Sequence, residues 1–241
     1  MRIINKRLND ANKIIFLDFE ATQLTQEIIA IGAVKAELDA KKNIKSFDKG
    51  IRLYIYTENS IGGLVENMTG ISKELLNSKG MAFEKAIEKL GNYIGGDFNF
   101  TTFMTYGNYD MRMLHHTAEL NECDNNPIVR LILEKNIDFA NVFSQYVRSE
   151  KNEQLSLTNA LKVYNVGPTG RHHDPRNDAI DLLKLYQAFI THKSITRNEY
   201  LKVCCKNPHL QEPIRQLVLK VANEGQATLD DFLAMIDNDI K

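Results

Sequence analysis

Cysteine is scarce in this chain: Cys123, Cys204 and Cys205 are the whole complement in 241 residues. An odd number with no C-x-x-C spacing argues against a disulfide framework and a zinc ribbon, and it fits a reducing, cytoplasmic setting. Long apolar runs are also missing. None approaches the ~20 residues that a membrane span needs, so no membrane partner is expected. The segment Met1 to Asn12 is mostly polar and carries Arg2, Lys6 and Arg7 with no apolar stretch behind them, which is not the pattern of a secretory signal. Charge of one sign is lacking as well: the net charge is −1, so the chain is no polycation that coats nucleic acid. Internal repeats and low-complexity linkers are absent.

What is present reads as a soluble globular protein. Apolar residues make up 43% and charged residues 25%, close to the usual averages. The chain is long enough to bury a full core in one domain with a helical appendage. Charge is uneven along it. Between Leu161 and Lys220 ten Lys/Arg stand against five Asp/Glu, a local sector that could steer a polyanion.

The stretch Lys13-Ile14-Ile15-Phe16-Leu17 leads into Asp18-Phe19-Glu20. Its β-branched and apolar residues predict a buried strand. Alternation then points Asp18 and Glu20 one way and Phe19 the other. Glu27 to Leu38 predicts a second strand and Ile44 to Tyr56 a third, joined as an antiparallel meander. Asn59 to Gly80 reads as loop and short helix, and Met81 to Ile94 as an amphipathic helix stopped by Gly95-Gly96. Phe100 to Tyr106 gives a fourth strand, followed by a helix over Tyr109–Leu120. A helix near Ile128–Leu133 and a short fifth strand at Asn136–Phe139 come next, with a helix running on through Val147. Helices over Leu157–Tyr164 and Asn177–Ile190 follow. Beyond Thr191 strand signals vanish, and Gln211–Asn223 and Leu229–Ile236 read as helices, with Thr228 and Asp231 spaced as a capping box. Strands first, then strands alternating with helices, predict an α/β fold with a mixed five-stranded sheet. Residues 10–190 form the expected domain. Residues 191–241 form a helical C-terminal extension packed on it, whose other expected roles are a basic rim through Lys202, Lys206, Arg215 and Lys220, or a surface for a protein partner or a homodimer.

Two acids at a strand end are ordinarily a solvated pair, so a site requires more carboxylates. Asp110 stands in the first turn after the fourth strand, in register with Met113, Leu114 and Thr117 on the inward side of its helix. Asp178 tops the stripe Leu182, Leu185, Phe189. Asp181 is expected off that stripe and without a role. Asp174-Pro175 fits a helix start, with Asp174 as N-cap. His173 precedes that cap and is a candidate general base. Four converging acids, Asp18, Glu20, Asp110 and Asp178, imply two Mg²⁺ or Mn²⁺ ions, which clamp the attacking and leaving oxygens of a phosphodiester.

Asp18-x-Glu20, Tyr106-Gly107-x-x-Asp110 and His173-x-x-x-x-Asp178 resemble the three motifs of the DEDDh 3′–5′ exonucleases, which have the RNase H-like fold. Met68-Thr69-Gly70-Ile71-Ser72 resembles that family's L-T-G-I-[ST] stretch. The resemblance covers roughly 13–190. It implies that Asp18, Glu20, Asp110 and Asp178 are the metal ligands and His173 the general base. It further implies that Ala21, Thr22 and Leu24 hold the terminal nucleotide, with Tyr109 available for stacking. Asp18 to Thr22 reads D-F-E-A-T, similar to the RNA-trimming branch related to histone-mRNA exonucleases and a bacterial sporulation-pathway inhibitor. The expected activity is release of nucleoside 5′-monophosphates from single-stranded 3′ ends, RNA favoured over DNA. A polymerase proofreading subunit and a catalytically silent, partner-binding module are the alternatives. Asp138 is expected to be structural.

Overall fold

The computed structural model describes residues 2–96 and 98–239. It opens with α1 (Arg2–Leu8), a helix that the polar N-terminus did not announce. Its apolar residues Ile4 and Leu8, four apart on one face, are both buried in the core. Strand β1 (Lys13–Ala21) pairs antiparallel with β2 (Ile28–Leu38), placing Asp18 opposite Gly32.

The expected third strand is two. β3 (Ile44–Phe47) and β4 (Ile51–Tyr54) both pair with β2, at its end and along its first half respectively. The break has a chemical cause. Asp48 Oδ1 accepts from the backbone N–H groups of Lys35 and Gly50 and from the Tyr93 hydroxyl, while Gly50 takes φ +70°. Among the described residues the sheet therefore has six strands rather than five.

Helices α2 (Gly63–Thr69), α3 (Lys73–Lys79) and α4 (Phe83–Ile94) lead to β5 (Thr101–Thr105), which lies parallel to β1. Then come α5 (Tyr109–Leu120), α6 (Pro127–Lys135) and β6 (Asn136–Asp138), parallel to β5. The order across the sheet is β3-β2-β1-β5-β6, with β4 beside β2. After β6 come α7 (Phe139–Phe143), capped by Asp138, α8 (Leu157–Val163) and the long α9 (Pro175–Thr191). Helices α10 (Lys193–Cys205), α11 (Glu212–Glu224) and α12 (Leu229–Asp239) follow. Of these, α10 was not expected, whereas the Thr228–Asp231 capping box forms as read.

Alternation in β1 divides the core between the two faces of the sheet. Ile14 and Phe16 join Phe139, Phe143, Tyr186 and Phe189 on one face. Ile15, Leu17 and Phe19 join Phe83, Leu90, Met113 and Leu114 on the other. Asp18 and Glu20 thus share the α9 side of the sheet. That helix can approach closely because β2 offers Gly32: a Cβ there would lie 2.0 Å from the backbone carbon and oxygen of Pro175. On the same face, Thr196 of α10 bonds the Tyr164 hydroxyl and the Phe189 carbonyl. None of the described residues of α12 is buried.

Candidate active site

The carboxylates meet at the edge of the sheet where parallel strands β1 and β5 end. Phe19, only 5% exposed, anchors the last turn of β1 in the core and so fixes the direction of its neighbours. Its N–H donates to Asp110 Oδ1 at 3.1 Å, tying the first turn of α5 to the strand between the two acids. Asp178 enters from the first turn of α9, and its Oδ2 accepts from the His173 N–H at 2.9 Å. His173 holds that bond in a left-handed backbone conformation, φ +59°, which is uncommon for a residue with a side chain. Its Nδ1 lies 3.9 Å from Glu20 Oε1. Ligand atoms of Glu20, His173 and Asp178 all fall within 4.8 Å of one another, and His172 makes a second such group with Asp178 and Asp181.

Supports of this arrangement include one that the sequence marks, Asp174, and others that it does not. Asp174 caps α9 as expected, accepting from the Asn177 N–H, and its other oxygen is ion-paired with Arg52 of β4. Arg171 donates to the carbonyls of Asn67 and Met68 at the end of α2, over Gly70, so the loop before α9 is latched to the M-T-G-I-S stretch. Asp181 corrects the expectation that it has no role. It is 2% exposed and accepts from the N–H and hydroxyl of Thr169, pinning the same loop. A helical wheel misses this because the loop, not the sheet, covers that side of α9. Gly32 left the one readable signal, a glycine inside a strand.

Asp18, Glu20, Asp110, Asp178, His172 and His173 line one cavity of about 690 Å³, together with Ala21, Thr22, Tyr106, Tyr109 and Ser156 to Thr158. Thr22 is buried, and both its hydroxyl and its N–H are engaged within the turn to Glu27. Leu24 stands 86% exposed at the tip of that turn. Tyr109 is exposed at the mouth, with Arg112 over its ring.

Burial, and then the mutual repulsion of the acids, governs their protonation. The Asp18 carboxyl is held well above its usual range by desolvation, with Asp110, Glu20 and Asp178 adding to it. Desolvation and Asp178 push Glu20 up to about 8. Asp110 rises to about 7, also through burial and against the Phe19 hydrogen bond, and Asp178 to about 6. His173 moves down, chiefly by burial and then by His172 and Arg171, which favours its neutral ring. No lysine or arginine is among the described residues lining the cavity. Four carboxylates in one place with no protein cation form a donor set that fits hard divalent ions.

Neither a protein-family model nor a curated protein sequence matches the chain. Solved structures do. Cell-death related nuclease 4 (CRN-4) aligns with a TM-score of 0.62 and 18% identity over 76% of this chain, which spans 65% of that protein's length. The nuclease domain of 3′hExo, a DEDDh family member described bound to rAMP, gives 0.61 and 18% over 76% of this chain and 93% of that domain. E. coli Exonuclease I in complex with a dT13 oligonucleotide gives 0.58 and 14% over 86% of this chain and 46% of that one. The fold of this chain is the RNase H-like fold of those exonucleases.

Proposed function

We propose that the protein is a metal-dependent 3′–5′ exonuclease of the DEDDh type, acting in the cytoplasm on single-stranded 3′ ends, RNA in preference to DNA. The observation that carries this reading is the cavity itself: four acids, two of them from one strand end, gathered without a balancing protein cation and with a histidine at the mouth. Asp18, Glu20, Asp110 and Asp178 would hold two Mg²⁺ or Mn²⁺ ions. Such ions polarise the scissile phosphate and stabilise the charge on both exchanging oxygens. His173, whose burial favours the neutral ring and whose Nδ1 lies 3.9 Å from Glu20 Oε1, takes the proton of the attacking water. The strand end Ala21–Thr22 and the exposed side chains of Leu24 and Tyr109 receive the terminal nucleotide, the last two by packing on its base. Residues 10–190 make the catalytic unit, and 191–241 extend it.

Proteins that share this fold are described with rAMP, with a histone mRNA stem-loop and with DNA oligonucleotides, so the fold accepts either nucleic acid. The D-F-E-A-T sequence of Asp18 to Thr22 tips the reading toward RNA. Digestion of matched labelled RNA and DNA oligonucleotides, with free or blocked 3′ ends and with or without EDTA, tests it. Stepwise loss from free RNA 3′ ends that EDTA stops is expected. Preferential trimming of DNA would favour a proofreading role, and intact substrates throughout would favour a silent, partner-binding module.

A further inference from the structure

A second cavity, of about 780 Å³, opens where α8 meets α10 and α11. Its chemistry is the reverse of the first. Arg148, Lys162, Lys202, Lys206 and Arg215 line it, against Glu150 and Glu199. Lys202 is paired with Glu199 at 2.7 Å, and Arg215 with Glu212 at 3.1 Å. Arg148, Lys162 and Lys206 have no acidic partner among the described residues. Several of these groups are held in place by carbonyls, Lys206 by Ser149 and Glu150 and Arg148 by Ser144 and Asn152. Carbonyls orient a cation but cancel none of its charge.

The two cavities are neighbours on a single helix. Ser156, Leu157 and Thr158 face the acids, while Leu155, Asn159, Lys162 and Val163 face the basic cavity. The Tyr106 hydroxyl bonds the Leu155 carbonyl at 2.7 Å and so sets the start of α8 as the wall between them. Along the helix, Lys162 lies about 9 Å from Ser156, at 1.5 Å per residue. A polyanion whose 3′ end enters a cluster of acids needs positive potential elsewhere; Arg112 and Arg171 stand singly near the mouth, and this cavity gathers five cations on the helix that borders it.

Building on the exonuclease reading above, we propose that the basic cavity between α8, α10 and α11 binds the upstream phosphates of the single strand whose 3′ end lies at Asp18, Glu20, Asp110 and Asp178. Helices α10 and α11 are thereby part of the substrate path. The apolar walls, Val163 and Leu219 among them, give the upstream bases a surface that does not read sequence.

The experiment compares hydrolysis of a 12-nucleotide strand and a dinucleotide by the wild type and by the double variant Lys162→Gln/Lys206→Gln, across a salt series. For the long strand, KM should rise about tenfold, and the log–log salt slope should fall by roughly 1.4, about 0.7 for each lost phosphate contact. Dinucleotide hydrolysis should stay within about twofold, because its phosphates do not reach the cavity. Lys162→Gln alone should give about half the change in slope, which keeps the test open should the double variant fold poorly. Lys41→Gln/Lys45→Gln removes the same charge near β3 and should leave both substrates unchanged. An equal effect on both lengths, no effect on either, or an equal effect of the β3 pair overturns the inference while the exonuclease reading stands. A wild-type protein that leaves every 3′ end intact overturns both.

Discussion

At the scale of single residues, the acids of the cavity trade stability for chemistry. Glu20, Asp110 and Asp178 have carboxyl pKa values raised to about 8, 7 and 6 in the folded chain, above the ordinary 4.5, 3.8 and 3.8. A carboxyl raised on folding contributes stability that is fully present below its unfolded pKa and is lost as pH rises through the folded one. In EDTA the melting temperature should therefore fall between about pH 4 and 8, and Mg²⁺ or Mn²⁺ should restore it more at pH 8 than at pH 5. Superimposable melting profiles with and without metal would sink the assignment of these acids as a metal site. On activity, Asp18→Ala or Asp178→Ala should abolish hydrolysis in Mg²⁺. His173→Ala should lower kcat by roughly 10²–10⁴, the usual worth of a positioned base. His172→Ala, one residue away but without the contact to Glu20, should cost far less, and single-turnover rates of the two histidine variants decide between them.

The elements matter through how closely they approach. Asp178 reaches the acids of β1 because α9 rests on β2 at Gly32. Gly32→Ala should push the start of α9 outward, at a cost of about 1–3 kcal/mol for overpacking. Misplacing the Asp178 carboxylate should lower kcat/KM by about 10²-fold. Gly63→Ala is the matching control. That glycine begins α2 with open space around it, so alanine there should be neutral or mildly stabilising, by up to ~1 kcal/mol. Denaturant melts and steady-state rates of the two variants should separate. The loop before α9 is an element of the same kind, held by Arg171 at its α2 end and by Asp181 at its base. Asp181→Ala leaves the Thr169 N–H without its partner, which should cost about 1–3 kcal/mol in urea unfolding. It should also reduce activity through the misplaced His173, even though Asp181 touches no substrate.

Across the whole molecule, the helices after Thr191 differ in how they are built in. Helix α10 is tied to the core through Thr196, and Tyr200 packs its ring on Tyr146. Helix α12 touches the rest mainly through α11 and the Lys220–Asp231 ion pair, with Leu229 and Leu233 exposed. Ending the chain after Gly225 should therefore leave the melting temperature and the rate on a 12-nucleotide strand close to those of the full chain. A collapse of either would show that α12 has a buried partner in solution.

Periodicity by itself determined a good deal here. Alternation in β1 aimed Asp18 and Glu20 together, and the 3.6-residue stripes of α5 and α9 turned Asp110 and Asp178 inward, because a local repeat decides which face a side chain takes. The same logic read the third strand as one piece and Asp181 as free. Both failures have one physical cause: Asp48 bonded to Tyr93, and Asp181 bonded to Thr169, are contacts made by segments distant along the chain or folded back over it. Tertiary structure alone decided that Gly32 admits α9 to the sheet, that Arg52 and Arg171 brace the site from other elements, and that basic residues scattered from Arg148 to Arg215 line one cavity beside the acids. Such convergence depends on how layers pack, and no local pattern along the chain encodes it.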